Sequence, residues 1–108
     1  MSKYILIESR DPSESADVQH SLDLASALVS RGQEVTIYLV QNAVLRARVS
    51  ARSEMFEQAI KSGVTLLADD FSLRERGIGP DQIRPGITPS PLETVVDGLA
   101  EGAKTIWN

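Results

Sequence analysis

The chain has 108 residues, 42% of them hydrophobic and 24% charged, with a formal net charge of −4 and no cysteine. That length suits one domain with its own core, and the balance of apolar and charged residues is that of an ordinary globular protein. The acidic charge argues against a general nucleic-acid binder, and the missing thiols remove disulfides, Cys-ligated zinc, thiol nucleophiles and persulfide carriage. No run approaches the length needed to span a bilayer. Tyr4-Ile5-Leu6-Ile7, closed by Glu8, is too short for the apolar part of a signal peptide. A cytoplasmic protein without membrane or nucleic-acid partners is therefore expected.

Lys3 to Glu8 reads as a first buried strand. A helix follows the loop Ser9-Arg10-Asp11-Pro12-Ser13-Glu14-Ser15, with Asp11, Ser13 or Ser15 as its cap. Val18, Leu22, Ala25 and Val29 give that helix an apolar stripe, widened by Leu24 and Leu28, and Gly32 ends it. Glu34 to Val40 is the second strand. Gln41 to Ser50 mixes Val44, Leu45 and Val49 with Arg46 and Arg48, and is expected to be a loop with a short helical turn. A second amphipathic helix is predicted over about Ala51 to Ser62, carrying Met55, Phe56, Ala59 and Ile60.

Val64 to Ala68 is the third strand, and Asp69 or Asp70 caps a third helix that runs to Arg76 before Gly77. Gly79 to Pro85 is an irregular connection, and Gly86-Ile87-Thr88 is a short fourth strand. Pro89 to Glu101 is a last helix with Ser90 as cap, Pro91 at its first position, and Leu92, Val95, Val96 and Leu99 as its stripe. Ala103 to Trp107 closes the chain as a fifth strand. Strands alternating with helices predict a single α/β domain over residues 1–108: a three-layer α/β/α sandwich of flavodoxin- or Rossmann-like architecture, with a five-stranded, mainly parallel sheet.

In open α/β sheets ligands bind beyond the carboxyl ends of the strands, so Asp69-Asp70-Phe71-Ser72 is the first place to look for chemistry. One of its carboxylates caps a helix on the simplest reading. Either is also a candidate base, or a ligand for a hard cation. A phosphoacceptor domain does not fit, because the first strand ends Ile7-Glu8-Ser9-Arg10 without an acidic pair and Lys104 begins or precedes the last strand instead of following it. No glycine-rich phosphate loop follows the first strand. Ser9, Arg10 and Ser13 at a helix start can still hold a small anion. His20 has no second metal ligand at helical spacing and reads as a solvated or interface residue. Arg46, Arg48 and Arg52 form either a solvated face or an anion or subunit contact, and Trp107 is either core or interface. No motif calls for a metal or a cofactor.

The stretch from Gly63 through Asp69 and Ser72 to Arg76-Gly77-Ile78 resembles the DsrE/DsrF-like family of sulfur-relay proteins, which includes TusD- and YchN-like members. The family carries a strand, a cysteine, and a short helix closing in Arg-Gly and an aliphatic residue. Some members have a second cysteine three residues after the first. Asp69 falls at the position of the first cysteine and Ser72 at that of the second, with Ser72-Leu73 similar to the Cys-Leu found there. The Lys3 to Glu8 strand, the helix ending Arg31-Gly32, the Glu34 to Val40 strand and Ile83 to Leu92 extend the resemblance over nearly the whole chain. It implies a five-stranded parallel sheet, assembly into homotrimers or hexamers, and work alongside other sulfur-relay proteins. It transfers no catalytic role to Asp69 or Ser72, because neither side chain can carry sulfane sulfur.

Three expectations follow. The first is a structural or regulatory subunit, or a small-ligand binder, of sulfur metabolism without persulfide sulfurtransferase activity. The second is a small enzyme using Asp69 or Asp70 for acid/base or hydrolytic chemistry. The third is a module that binds anions or nucleotide fragments through Arg10 and the arginines at 46, 48 and 52.

Overall fold

Lys3–Glu8 (β1), Glu34–Leu39 (β2), Thr65–Asp69 (β3), Ile87–Ser90 (β4) and Lys104–Trp107 (β5) form one sheet in the order β4-β3-β2-β1-β5, every pair parallel. The computed structural model describes residues 2–10, 17–49 and 54–107. The first helix, α1, is described over Asp17–Ser30, so the proposed caps Asp11, Ser13 and Ser15 lie outside the described residues, as do Ala51, Arg52 and Ser53. The second helix, α2, spans Glu54–Lys61, α3 spans Asp70–Glu75 and α4 spans Glu93–Ala100.

Alternation along each strand decides which side chains meet which helices. Leu6 of β1, Val35, Ile37 and Leu39 of β2, Leu66 and Ala68 of β3 and Ile87 of β4 point to one face, where Val18, Leu22 and Ala25 of α1, Phe56 and Ala59 of α2 and Leu73 of α3 cover them. This is the main core. The opposite face carries Ile5, Ile7 and Tyr38, and only Val95 of α4 joins them in a buried cluster. Helices thus lie on both faces, but very unequally.

Several boundaries differ from the sequence reading. Gln41–Ala47 is a 3-10 helix of two turns, not a mostly irregular loop, and it buries Ala43, Val44 and Ala47. Small residues at its inner positions let the segment pack flat on the sheet, which the intervening arginines obscure. Leu24, expected to widen the stripe of α1, is exposed. Ser90 belongs to β4 and does not cap α4, whose first turn follows Leu92 with no side-chain cap. The backbone is already paired with β3 at Pro89 and Ser90, so the apparent Ser-Pro-x-Glu start is overridden by the strand. Leu92, Val96 and Leu99, expected in the core with Val95, are exposed.

Two helix ends do follow their glycines. Gly32 (φ +83) and Gly77 (φ +68) adopt the left-handed conformation, and Gly77 and Ile78 return their amides to the carbonyls of Arg74 and Leu73. Phe56, fully buried, is the largest side chain α2 contributes to the core. Phe56→Ala should therefore lower the unfolding free energy by about 3–5 kcal/mol in urea titration.

Candidate functional site

The connection after β3 passes to α3 on the main-core face, while the connection after β4 passes to α4 on the other. Adjacent strands whose connections diverge in this way open a crevice at their carboxyl ends. Here the crevice lies between Asp69 and Ser90, which are register partners across β3 and β4.

Asp69, not Asp70, is the cap of α3. Its Oδ2 accepts from the Ser72 amide at 3.0 Å and from the Ser72 hydroxyl at 2.7 Å. Its Oδ1 accepts from the Tyr38 hydroxyl at 2.8 Å, and the same hydroxyl lies 3.0 Å from the Ser90 carbonyl oxygen. Tyr38 thus fills the crevice from the β2 side. The Ser72 hydroxyl, while donating to Asp69, accepts from the Gln41 amide at 2.9 Å. Gln41 has φ +52, the only positive φ outside glycine among the described residues, and it turns the chain out of β2 into the 3-10 helix. Arg76 completes the junction by donating to the Ser72 carbonyl at 3.3 Å and to Asn42 Oδ1 at 3.1 Å.

Burial pushes the Asp69 carboxyl up, but the hydrogen bonds from the Ser72 and Tyr38 side chains and from the Ser72 and Phe71 amides outweigh it and hold the group below the ordinary carboxylate value. Burial, then the hydrogen bond to Asp69 and its charge, raises the Tyr38 phenol well above its ordinary value, with Asp70 and Glu93 adding smaller repulsions. At neutral pH the pair is therefore a carboxylate held by a neutral phenol. Such a carboxylate is a weak base with its lone pairs occupied, which disfavours acid/base catalysis by Asp69. Asp70 is half-buried and paired with Arg74 at 3.6 Å one turn later, a surface contact of little energetic weight.

The remaining candidates are dispersed. Ser9 is half-buried and Arg10 exposed after β1, and Ser13 and Arg52 lie outside the described residues. Arg46 and Arg48 sit at the far end of the 3-10 helix, about 10 Å along its axis from Gln41 at ~2 Å per residue. Arg48 donates from Nε to the Leu45 carbonyl, and its backbone bridges to Ile83. His20 is exposed and lines a groove of about 140 Å³ with Leu6, Ser21, Leu24 and Ile106. Trp107 is exposed, so it is not core packing within one chain. Among the described residues, no group of three or more His, Asp or Glu side chains is arranged to hold a metal ion.

Two members of the local chemistry were missed in the sequence. Tyr38 is the sole polar-tipped aromatic in the apolar run of β2, and a phenol buried there needs a partner at a strand end. Glu8 is almost fully buried at the end of β1, accepting from the Ser21 hydroxyl at 3.1 Å and from the Arg10 amide at 3.3 Å. A second cavity, of about 320 Å³, lies beside α4 against Ile5, Thr36, Tyr38 and Leu67, and Asp69 and Asp70 are not in its lining.

The lowered Asp69 value has a definite consequence for stability. The folded state binds this proton less tightly than the unfolded chain, so the stabilisation is fully present above the unfolded value of about 3.9 and is lost as pH falls through the lower folded value. The stability advantage of the native protein over Asp69→Asn should therefore be constant from neutral pH to about 5 and shrink below about 4. Tyr38→Phe, which removes a buried donor to a charged acceptor, should cost roughly 1.5–3 kcal/mol and raise the acid-unfolding midpoint.

No curated protein matches the chain. Among solved structures, the ychN protein from E. coli superposes with a TM-score of 0.88 at 19% identity, covering 100% of both chains. The protein of unknown function MTH1491 from Methanobacterium thermoautotrophicum gives 0.87 at 17% identity, again over 100% of both. The conserved protein of unknown function BT1422 from Bacteroides thetaiotaomicron gives 0.76 at 19% identity, over 99% of this chain and 95% of that one. At such identities these likenesses speak for the fold alone. The family model for DsrE/DsrF-like proteins matches residues 2–107. The chain belongs to the DsrE/DsrF-like family.

Proposed function

We propose that this chain serves intracellular sulfur metabolism as a member of a sulfur relay that does not itself carry sulfur, acting as a structural or regulatory subunit or as a small-ligand binder. The observation that supports this reading is the state of the two positions that the sequence resemblance sets opposite the family's cysteines. Asp69 and Ser72 are bonded to each other and held by Tyr38 and Gln41. A persulfide needs a cysteine sulfur, and these 108 residues have none. The junction that presents a reactive thiol in the family is here a closed hydrogen-bonded knot.

The same reading places the protein in the cytoplasm, in contact with copies of itself as a trimer or hexamer and with other sulfur-relay proteins. In keeping with it, no helix among the described residues is long and apolar enough to cross a membrane. The enzymatic alternative loses support from the lowered proton affinity of Asp69 and the occupied crevice.

Two measurements test the reading. Incubation with a persulfide donor should leave the intact mass unchanged, and a covalent gain of about 32 Da per sulfur atom would refute non-carriage. A thermal-shift screen against sulfur oxyanions, phosphates and nucleotides should separate the ligand-binding form of the proposal from the purely structural one, because a ligand of the folded state raises the melting temperature.

A further inference from the structure

We infer that the cavity of about 320 Å³ beside α4 binds a small organic cation, an ammonium or guanidinium carried on a short arm by one apolar ring. The inference rests on the ligand-binding form of the function proposed above, and it adds the place and the chemical class of the ligand.

The cavity exists because one short helix lies on a sheet face too wide for it. α4 comes down on β1 at Gly98, where a Cβ would stand 2.5 Å from Ile5 Cδ1, so any side chain there would have to push Ile5 or the helix away. To one side of this contact, Thr36 and Tyr38 of β2 and Leu67 of β3 floor a trough, and α4 is the only helix among the described residues that lines it. The floor is fixed in place. The Tyr38 ring cannot swing out, because its hydroxyl is held by Asp69 at 2.8 Å and by the Ser90 carbonyl at 3.0 Å. A preformed pocket spares a ligand the cost of ordering its walls, and the volume falls at the small end of ligand sites, which run from about 300 to 1,000 Å³.

The two ends of the trough differ in chemistry. Glu34 begins β2 and Tyr38 lies four residues on, about 13 Å along the strand. α4 runs against the strand direction, since Glu101, just past its end, meets Lys3 at the start of β1. The end toward Tyr38 is apolar, made by its ring with Leu67 and Val95, and the hydroxyls of Thr36 and Thr94 stand beside it. A cavity of roughly 150 Å³ holds a benzene ring, so twice that volume takes one ring and a short arm.

The other end decides the sign of the ligand. Glu34, Asp97 and Glu101 border it against the single ammonium of Lys3, which leaves an excess of negative charge. Lys3 Nζ stands 3.9 Å from a carboxylate oxygen of Glu34 and 3.9 Å from one of Glu101, and its side chain is 53% exposed, so these pairs carry little energy. An entering cation displaces that ammonium into water and takes its place between the two carboxylates. Asp97 lies one turn before Glu101, about 6 Å deeper, and meets the arm. A concave wall focuses the field of these charges, and the net charge of −4 acts in the same direction. The same rim repels sulfur oxyanions and phosphates, which are therefore not ligands of this cavity.

The test is a titration of methyl-labelled protein by ¹H–¹³C NMR, with phenethylamine as the cation, phenethyl alcohol as its neutral analogue and 3-phenylpropanoate as its anionic one. The methyl signals of Ile5, Leu67 and Val95 should move with the amine at a Kd on the order of 1 mM, the range of a fragment-sized ligand, while those of Val18 and Leu22 in the main core stay still. The alcohol should bind about threefold more weakly and the anion more weakly again. No movement of the three residues at about 20 mM amine would overturn the site, and equal or reversed affinities would overturn the assignment of charge. Glu101→Lys, at an exposed position, should leave the circular dichroism unchanged and weaken amine binding about fivefold, and an unchanged affinity would count against the rim. Thr36→Phe fills the floor and should abolish the shifts, so retained binding would overturn the location. A silent cavity leaves the absence of sulfur carriage standing, whereas a persulfide adduct would remove that reading and leave the cavity untouched.

Discussion

A single buried carboxylate ties together the carboxyl ends of three strands. Asp69 ends β3 and starts α3, its Oδ1 reaches Tyr38 of β2, and through that phenol the contact extends to the Ser90 carbonyl at the end of β4. Its Oδ2 takes both donors of Ser72, whose oxygen in turn receives the Gln41 amide and stabilises the turn out of β2. Burying a charge is costly unless it is fully hydrogen-bonded. Here every donor comes from an element the charge also positions, so the cost is met only when all three strand ends are in register. The sheet order, the positive φ of Gln41 and the exit of α3 toward one face all converge on this group.

The same arrangement constrains chemistry. A strand-end crevice between diverging connections is where α/β proteins normally bind and react. In this chain the phenol of Tyr38 occupies it, and the carboxylate beside it binds a proton less tightly than an ordinary aspartate. A reactive group needs either an unshared lone pair or a shifted affinity in the opposite direction. Asp69 offers neither, which is why a supporting role fits the site better than acid/base catalysis. The uncovered surface lies elsewhere, along α4 and β5, where the sheet has one helix instead of several.

Much of the fold was legible because strand and helix periods differ so clearly. Glu34 to Val40 reads as a buried strand, one residue longer than the β2 observed, and Met55, Phe56, Ala59 and Ile60 read as the stripe of an amphipathic helix. The Asp-x-x-Ser turn after Val64 to Ala68 announced both the cap and the family. The errors came from segments where two signals compete. Ser90-Pro91-Leu92-Glu93 has the spacing of a helix start, but pairing with β3 claims Ser90 first. Leu92, Val96 and Leu99 carry the period of a buried face, yet periodicity reports only that one side is apolar and not whether this chain covers it. Tyr38 escaped notice because its partners lie 31 and 52 residues away, beyond any local pattern.

The central claim is that Asp69 is a structural carboxylate at the turn from β3 into α3, held in its ionised form by its hydrogen bonds. The most direct measurement is the titration of its carboxyl carbon by ¹³C NMR. A midpoint below the ordinary aspartate value of about 3.9 is expected, moving up in Tyr38→Phe. A midpoint at or above that value, and above all one near neutrality, would mark a poised acid or base and contradict the structural role.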